Sequence, residues 1–401
     1  MTVARAALFV ALLATSAAAQ TTRDDASDID AALRPSISAY RAGDLRTAET
    51  LLRALIPGNA DAEAWLGALL LDRGDTRSGL KAIQQAADSG SPEGAHRLAL
   101  VFAEGLGGTA RNEKRAAELF EKAAAAGHTR AQLNLGILYF RGQGVVRDLV
   151  QARAWLEKAA ANGDAQALYA LGRAMDERFG PAPVDLTRAA DLYRQAAEKG
   201  HPLAALRLGL ALSEGAGIKR DIATAQTWLL RAYENGVPEA ALALGDLTAR
   251  AFSPRDKAAN VPLIQSALGW YEAAANAGVA SAQFKLANAH FSGTGVARDA
   301  EKALFWYGRA ASQGLAEAQH AYAIMLIGGI TGAVDAAEGY KWLLLAERGG
   351  HPDSRAVRLK ADEQIPAKDR ARAETLAKNF KIMDERPDSG ATPRLAPPAK
   401  P

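Results

Sequence analysis

The sequence predicts an all-α protein, a solenoid of about seven 36-residue helix-turn-helix repeats held between helical caps. Three observations carry that prediction. The chain is rich in Ala, its 36 glycines are spread over all 401 residues, and it lacks the long β-branched runs that buried parallel strands need. A Gly closes an alanine-rich stretch at Gly90, Gly127, Gly163, Gly200, Gly236, Gly278, Gly314 and Gly350, at intervals of 37, 36, 37, 36, 42, 36 and 36 residues. Such a period marks stacked units, none of which can bury its apolar face alone. Two helical stripes recur within each interval.

The first stripe, helix A, places a small residue fourth and a large one eighth after the Gly. The pairs are Ala131 and Leu135, Ala167 and Leu171, Ala204 and Leu208, Ala240 and Leu244, Ala282 and Leu286, and Ala318 and Tyr322. Helix B repeats apolar residues at i, i+3, i+4, i+7 and i+8, as in Ala152, Trp155, Leu156, Ala159 and Ala160, the spacing of an amphipathic helix. Tryptophans at 155, 228, 270, 306 and 342 fall on that stripe, where packing explains them. The Gly ending each helix B suits a left-handed C-cap, and Pro92, Pro202, Pro238 and Pro352 fall where a first helical turn accepts proline.

Ahead of the repeats, "MTVARAALFVALLATSAAAQ" has Arg5, an apolar run and an A-x-A ending, which predicts a signal peptide over residues 1–19 cut after Ala19. Residues 20–90 read as a looser, TPR-like helical cap, residues 91–350 as the seven repeats, and residues 351–384 as C-terminal capping helices. The stretch 385–401 is Pro-rich and too poor in apolar residues to fold. The 42-residue interval predicts an insertion of about six residues around "SPRDKAANVP".

Lys and Arg number 48 against 45 Asp and Glu, so the net charge is only +3 despite a pI near 9. A surplus so thin argues against nucleic acid as a partner. No cysteine is present, so neither a disulfide nor a lipidated cysteine anchors the chain. No apolar run approaches membrane-spanning length, so no membrane insertion is expected after signal cleavage.

The pattern "A…LG…Y..G.GV..D...A..W..KAA..G", matched by "AQLNLGILYFRGQGVVRDLVQARAWLEKAAANG", resembles the Sel-one-like repeat, a relative of the tetratricopeptide repeat. The resemblance covers Ser91 to Gly350 and departs most at "ERFGPAPVD" and in the long unit ending at Gly278. It implies a right-handed α/α superhelix that displays partner proteins on its concave side, in adaptors and regulators, some of them exported from bacteria. It implies no single chemistry.

Four features compete as sites. The loops "GQGVVRD" at Gly142, "GAGIKRD" at Gly215 and "GTGVARD" at Gly293 resemble phosphate cradles but lack the preceding strand and the third Gly or Gly-Lys-Ser/Thr ending. They read better as tight turns whose Asp148, Asp221 or Asp299 caps the next helix. The S-x-x-K at Ser78 and Lys81 lacks the partner motifs of penicillin-interacting enzymes, so a solvated helix face is the better reading. None of the six histidines lies three or four residues from another, and neither metal nor cofactor is expected. What remains is the polar stripe of helix A at places 3, 7, 10 and 14 after each Gly, with Arg97, Asn134, Arg141, Arg173, Arg207, Lys285 and Asn288, and with Glu214 and Asp246 as acidic exceptions.

The functional expectation is a non-enzymatic periplasmic scaffold or regulator. Its mildly basic groove would hold a protein or peptide partner, such as an acidic segment of an envelope protein. The alternatives are a hydrolase acting on cell-wall peptides or β-lactams through Ser78 and Lys81, and a secreted effector that binds a host protein.

Overall fold

The structure, a computed structural model, describes residues 30–176, 184–252, 257–330, 332 and 335–383. The signal peptide, the Pro-rich tail, residues 177–183 of "ERFGPAPVD" and residues 253–256 of the insertion lie outside them. Among the described residues there are α-helices and short 3-10 turns but no strand. The chain divides into two compact units inside one helix, Pro202–Glu214; the first runs to Leu208 and includes Gly215–Lys219, the second holds Gly209–Glu214 and everything from Arg220.

In the first unit, two hairpins stand where the N-terminal cap was expected: α1 (Arg34–Arg41) with α2 (Leu45–Leu55), and α3 (Ala60–Asp72) with α4 (Thr76–Asp88). Three A/B repeats follow, α5 (Pro92–Glu104) with α6 (Glu113–Ala125), α7 (Thr129–Arg141) with α8 (Leu149–Ala161), and α9 (Ala165–Asp176) with α10 (Leu186–Glu198). The dividing helix, α11 (Pro202–Glu214), is the A helix of the fourth repeat.

The second unit continues with α12 (Ile222–Glu234), α13 (Glu239–Ala249) with α14 (Lys257–Asn276), α15 (Ala280–Ser292) with α16 (Ala300–Ser312), and α17 (Ala316–Ile327) with α18 (Ala336–Arg348). It closes with α19 (Ser354–Gln364) and α20 (Ala367–Lys378). In each unit an A helix packs on its own B helix and that B helix on the next A helix. The Ala and Leu of each A stripe are buried, and so are the Ala, Leu and Tyr of the B stripes apart from the half-buried Tyr271.

The glycine loops are turns of the expected kind. Gly142 and Gly144 both sit at φ 70°, in the left-handed region that favours glycine. Asp148 Oδ1 then accepts the Val150 and Gln151 amides at 2.9 and 3.0 Å, and Asp221 and Asp299 cap their helices in the same way. Closeness adds a second demand for glycine. A Cβ on Gly144 would overlap the Glu113 carbonyl at the start of α6, and one on Gly217 the Leu186 carbonyl at the start of α10. The second glycine of each loop is therefore the point where one repeat rests on the helix B of the repeat before.

Three details differ from expectation. Pro92 and Pro202 open their helices, but Pro238 is the N-cap of α13, and Pro352 lies in the turn before α19. The described part of the insertion is a longer helix: α14 has 20 residues with Pro262 inside it, against 13 in α16. The tryptophans are not uniformly core. Trp342 is 4% exposed, but Trp155, Trp228, Trp270 and Trp306 are half-buried. Lys158, Arg231 and Arg309 lie over three of these rings, at 3.9, 4.7 and 5.3 Å from the centroids of Trp155, Trp228 and Trp306. Trp155→Ala is therefore expected to cost about 1–2 kcal/mol, below the 3–5 kcal/mol of a fully buried ring, as read from urea unfolding.

Candidate partner-binding face

Side chains near the start of the A helices bridge successive repeats. Counted from each preceding Gly, the first residue of one repeat lies over the sixth of the repeat before. His128 stacks on His96 with centroids 4.5 Å apart, His201 on Tyr169 at 4.5 Å, and His351 on His320 at 4.0 Å. The fifth residue also bridges: buried Gln132, Gln283 and Gln319 donate to the carbonyls of Ala124, Ala275 and Ala311 near the end of the preceding B helix. Each of these carbonyls also accepts the amide of the Gly that follows its helix, so the side-chain amide takes its second lone pair.

The densest bridge joins the first two repeats. His128 Nδ1 accepts the Ala131 amide at 3.2 Å, so its proton sits on Nε2 and is donated to Glu93 Oε2 at 2.8 Å. The other Glu93 oxygen pairs with Arg97, whose guanidinium lies 3.9 Å from the centroid of Trp65. Burial alone would raise the Glu93 carboxyl, but Arg97 and the His128 hydrogen bond outweigh it and hold it well below the usual carboxylate range.

Donor atoms of Glu93, His96 and His128 lie within 4.8 Å of one another, a grouping that the search for His–His spacing did not find. The arrangement does not suit an ion. A bound metal lies near an imidazole's plane at about 2.0–2.1 Å. These two rings are instead face to face, 23° from parallel. Both His128 nitrogens are already engaged, and Arg97 neutralises the carboxylate.

His96 has a consequence of its own. Burial, then the neighbouring His128, push its pKa well below 6.5; Glu93 opposes this, while Arg97 and Arg130 add to it. The folded protein thus keeps His96 neutral while the unfolded chain binds a proton below about pH 6.5, so stability falls as the pH drops through that value. Between pH 7.5 and 5.5 the loss from this residue is expected to be about 1.4 kcal/mol. Urea unfolding of wild type and His96→Asn at both pH values measures it, and an equal acid loss in the two proteins would contradict it.

The seven stripe residues divide by burial. Arg97 and Arg173 are 7% and 2% exposed, so neither stands on the solvated face expected of it. The cause is lateral: an A helix in an array has a neighbouring A helix on its flank, and Arg97 at place 7 and Arg173 at place 10 turn toward that flank rather than to water. Asn134 is half-buried, 3.4 Å from His96 Nε2. Arg141 is half-buried at the end of α7, and burial lowers its pKa. Lys285 pairs with Asp246 of the preceding repeat at 3.1 Å, and Asn288 is exposed and accepts from Tyr307.

Arg207 is half-buried, and its charge acts on Arg173, place 7 of one repeat on place 10 of the one before. Burial lowers the Arg173 pKa first, and the Arg207 charge lowers it further, against Tyr169 and Tyr193. Two like charges held together in a partly dry setting raise the affinity of the place for an anion.

Beside Arg97, a cavity of about 190 Å³ opens between α3, α4 and α5, with Leu71, Ile83, Leu100 and Leu106 as apolar walls and Asp72 as a second charge. Ser78 and Lys81 are both exposed on α4, where the Ser78 amide is held by Asp75 at 3.2 Å.

Hairpins stacked in register, tied by rings, amides and capped glycine turns, define a tandem α-hairpin repeat protein. Seven successive matches to the Sel1 repeat, at residues 92–128, 129–164, 165–201, 202–237, 238–279, 280–315 and 316–351, follow the same series of lengths as the glycine intervals. The chain belongs to the Sel1 repeat family. Such proteins generally act in protein–protein interaction and regulation.

Curated relatives include the chitin synthase regulator SKT5 of Saccharomyces cerevisiae, 29% identical over 64% of this chain and 38% of that protein. Another is a component of an ERAD-associated E3 ubiquitin-protein ligase of Arabidopsis thaliana, HRD3B, 30% identical over 26% of this chain and 16% of that protein. The chain thus spans well under half the length of these relatives.

Among solved structures, a Sel1 repeat protein from Oxalobacter formigenes is 27% identical with a TM-score of 0.61, covering 84% of this chain and 97% of that one. The protective antigen c5321 of uropathogenic Escherichia coli shares the fold at 24% identity and a TM-score of 0.57, over 86% of this chain and 81% of that one. No helix among the described residues is long and apolar enough to cross a membrane.

Proposed function

We propose that the protein is a non-enzymatic scaffold or regulator, exported to the periplasm, that holds an acidic segment of an envelope protein against the A helices of its first unit. What supports the acidic choice is the Arg173–Arg207 pair, like charges on successive A helices that act on one another across a repeat boundary, with one of them buried. A carboxylate placed there relieves their repulsion and accepts bidentate bonds, an interaction specific to Arg. Arg141, one repeat earlier, extends the basic surface. The regulators and ligase component among the relatives support a protein partner.

The test is crosslinking in the native envelope, followed by capture with the identified partner. Arg173→Glu combined with Arg207→Glu is expected to weaken capture at least tenfold, about 1.4 kcal/mol, with helicity unchanged. Undiminished capture by a folded double variant would place binding elsewhere. Cell fractionation tests the compartment: recovery of the chain in the cytoplasm or the medium would overturn that part of the proposal.

A further inference from the structure

The last described residues lie on the second unit in the manner of a bound peptide. Beyond α20, held by a bond from Arg348 Nη1 to the Ala377 carbonyl at 3.1 Å, the chain leaves the helix and passes over the middle of α18 and the end of α16. The Phe380 ring meets the Trp342 ring edge to face, with centroids 5.2 Å apart, and the Lys341 ammonium lies 6.0 Å from it. Ile382 lies over Gly314, so close that a Cβ there would stand 3.1 Å from its tip. The Met383 amide donates to the Ser312 carbonyl at the end of α16, at 2.9 Å.

The receiving surface is built and the occupant is lightly held. Trp342 is 4% exposed, and its indole N–H is fixed on Glu338 at 2.9 Å. Gly314, at φ 86°, leaves a notch bare of side chain. The segment itself is half-buried at Phe380, while Ile382 and Met383 remain 62% and 56% exposed. A few-residue segment with one buried ring belongs to the part of a protein that opens most readily. What it leaves behind would read an aromatic side chain, an aliphatic one two positions later, and a backbone N–H one further on, a form of extended-peptide recognition.

We propose that the middle of α18 and the end of α16 form a docking site for an extended partner segment bearing an aromatic residue followed two positions later by an aliphatic one, which residues Phe380–Met383 occupy until such a segment displaces them. The site lies in the second unit and does not depend on the Arg173–Arg207 face.

The probe is a fluorescent peptide of residues 378–385, KNFKIMDE, titrated by anisotropy into the full chain. Met383→Pro removes the amide donor without touching the ring, and Phe380→Ala removes the ring. Both variants are expected to bind the peptide at least tenfold more tightly than wild type, and a peptide with Ala in place of the Phe is expected to lose that gain. Variants that keep wild-type helicity yet bind no better would overturn the proposal, as would equal binding of the Ala peptide. Dimers of the wild-type chain that exchange this segment would overturn it too, by making a second copy the occupant.

Discussion

Glu93→Ala is expected to destabilise the junction of the first two repeats by about 3–5 kcal/mol, the range for breaking a buried ion pair from one side. The carboxylate is only 13% exposed and serves two donors at once, Arg97 and His128, which are 8% and 10% exposed. Removing it leaves the guanidinium charge in the interior over the Trp65 face without its ion-pair partner, and an imidazole N–H without its acceptor. Glu93→Leu with Arg97→Met removes both charges and is expected to recover most of the loss, because well-packed apolar residues replace buried pairs at little cost. Urea unfolding of the three proteins measures this. A single variant within 1 kcal/mol of wild type would show that the pair contributes little, and a double variant as unstable as the single would assign the loss to packing instead.

The prediction concerns a bridge that composition and periodicity do not display. Glu93 and His128 are 35 residues apart, His96 and His128 are 32 apart, and neither spacing is a helical one. They meet because one repeat sets its first residue on the sixth of the last. His201 on Tyr169 and His351 on His320 obey the same rule, and Gln132, a fifth residue, crosses the same boundary to the Ala124 carbonyl. Aligning the repeats on their glycines and reading down the columns would have exposed these columns of His, Tyr and Gln; reading along one helix could not.

Features that depend on one helix or one turn were legible. Asp148 caps because it precedes a helix, and Ala131 and Leu135 are buried because their spacing puts them on one face. The burial of Arg97 and Arg173 was not legible, because a helical wheel has only an inside and an outside, whereas an A helix in an array also has flanks. The proposed partner-binding face therefore draws on the Arg173–Arg207 pair and its neighbour Arg141 rather than on the whole stripe of seven.

Gly144→Ala is expected to cost about 2–6 kcal/mol, though the residue lies in a surface turn and touches no apolar core. Two penalties add. A residue with a Cβ at φ 70° bears about 1–3 kcal/mol of backbone strain, and overpacking against the Glu113 carbonyl adds about 1–3 kcal/mol. The neighbouring turn glycines separate the two contributions. Gly127 and Gly200, at φ 91° and 86°, have open space where a Cβ would go, so Gly200→Ala is expected to cost the strain alone. Gly144→Ala should therefore exceed Gly200→Ala by the clash, and Gly217→Ala, which meets the Leu186 carbonyl, should match Gly144→Ala. Equal losses at Gly144 and Gly200 would mean that the α6 terminus shifts freely to admit a methyl group. The loop "GQGVVRD" would then be only a turn, and its second glycine would not help to set the stacking of one repeat on the next.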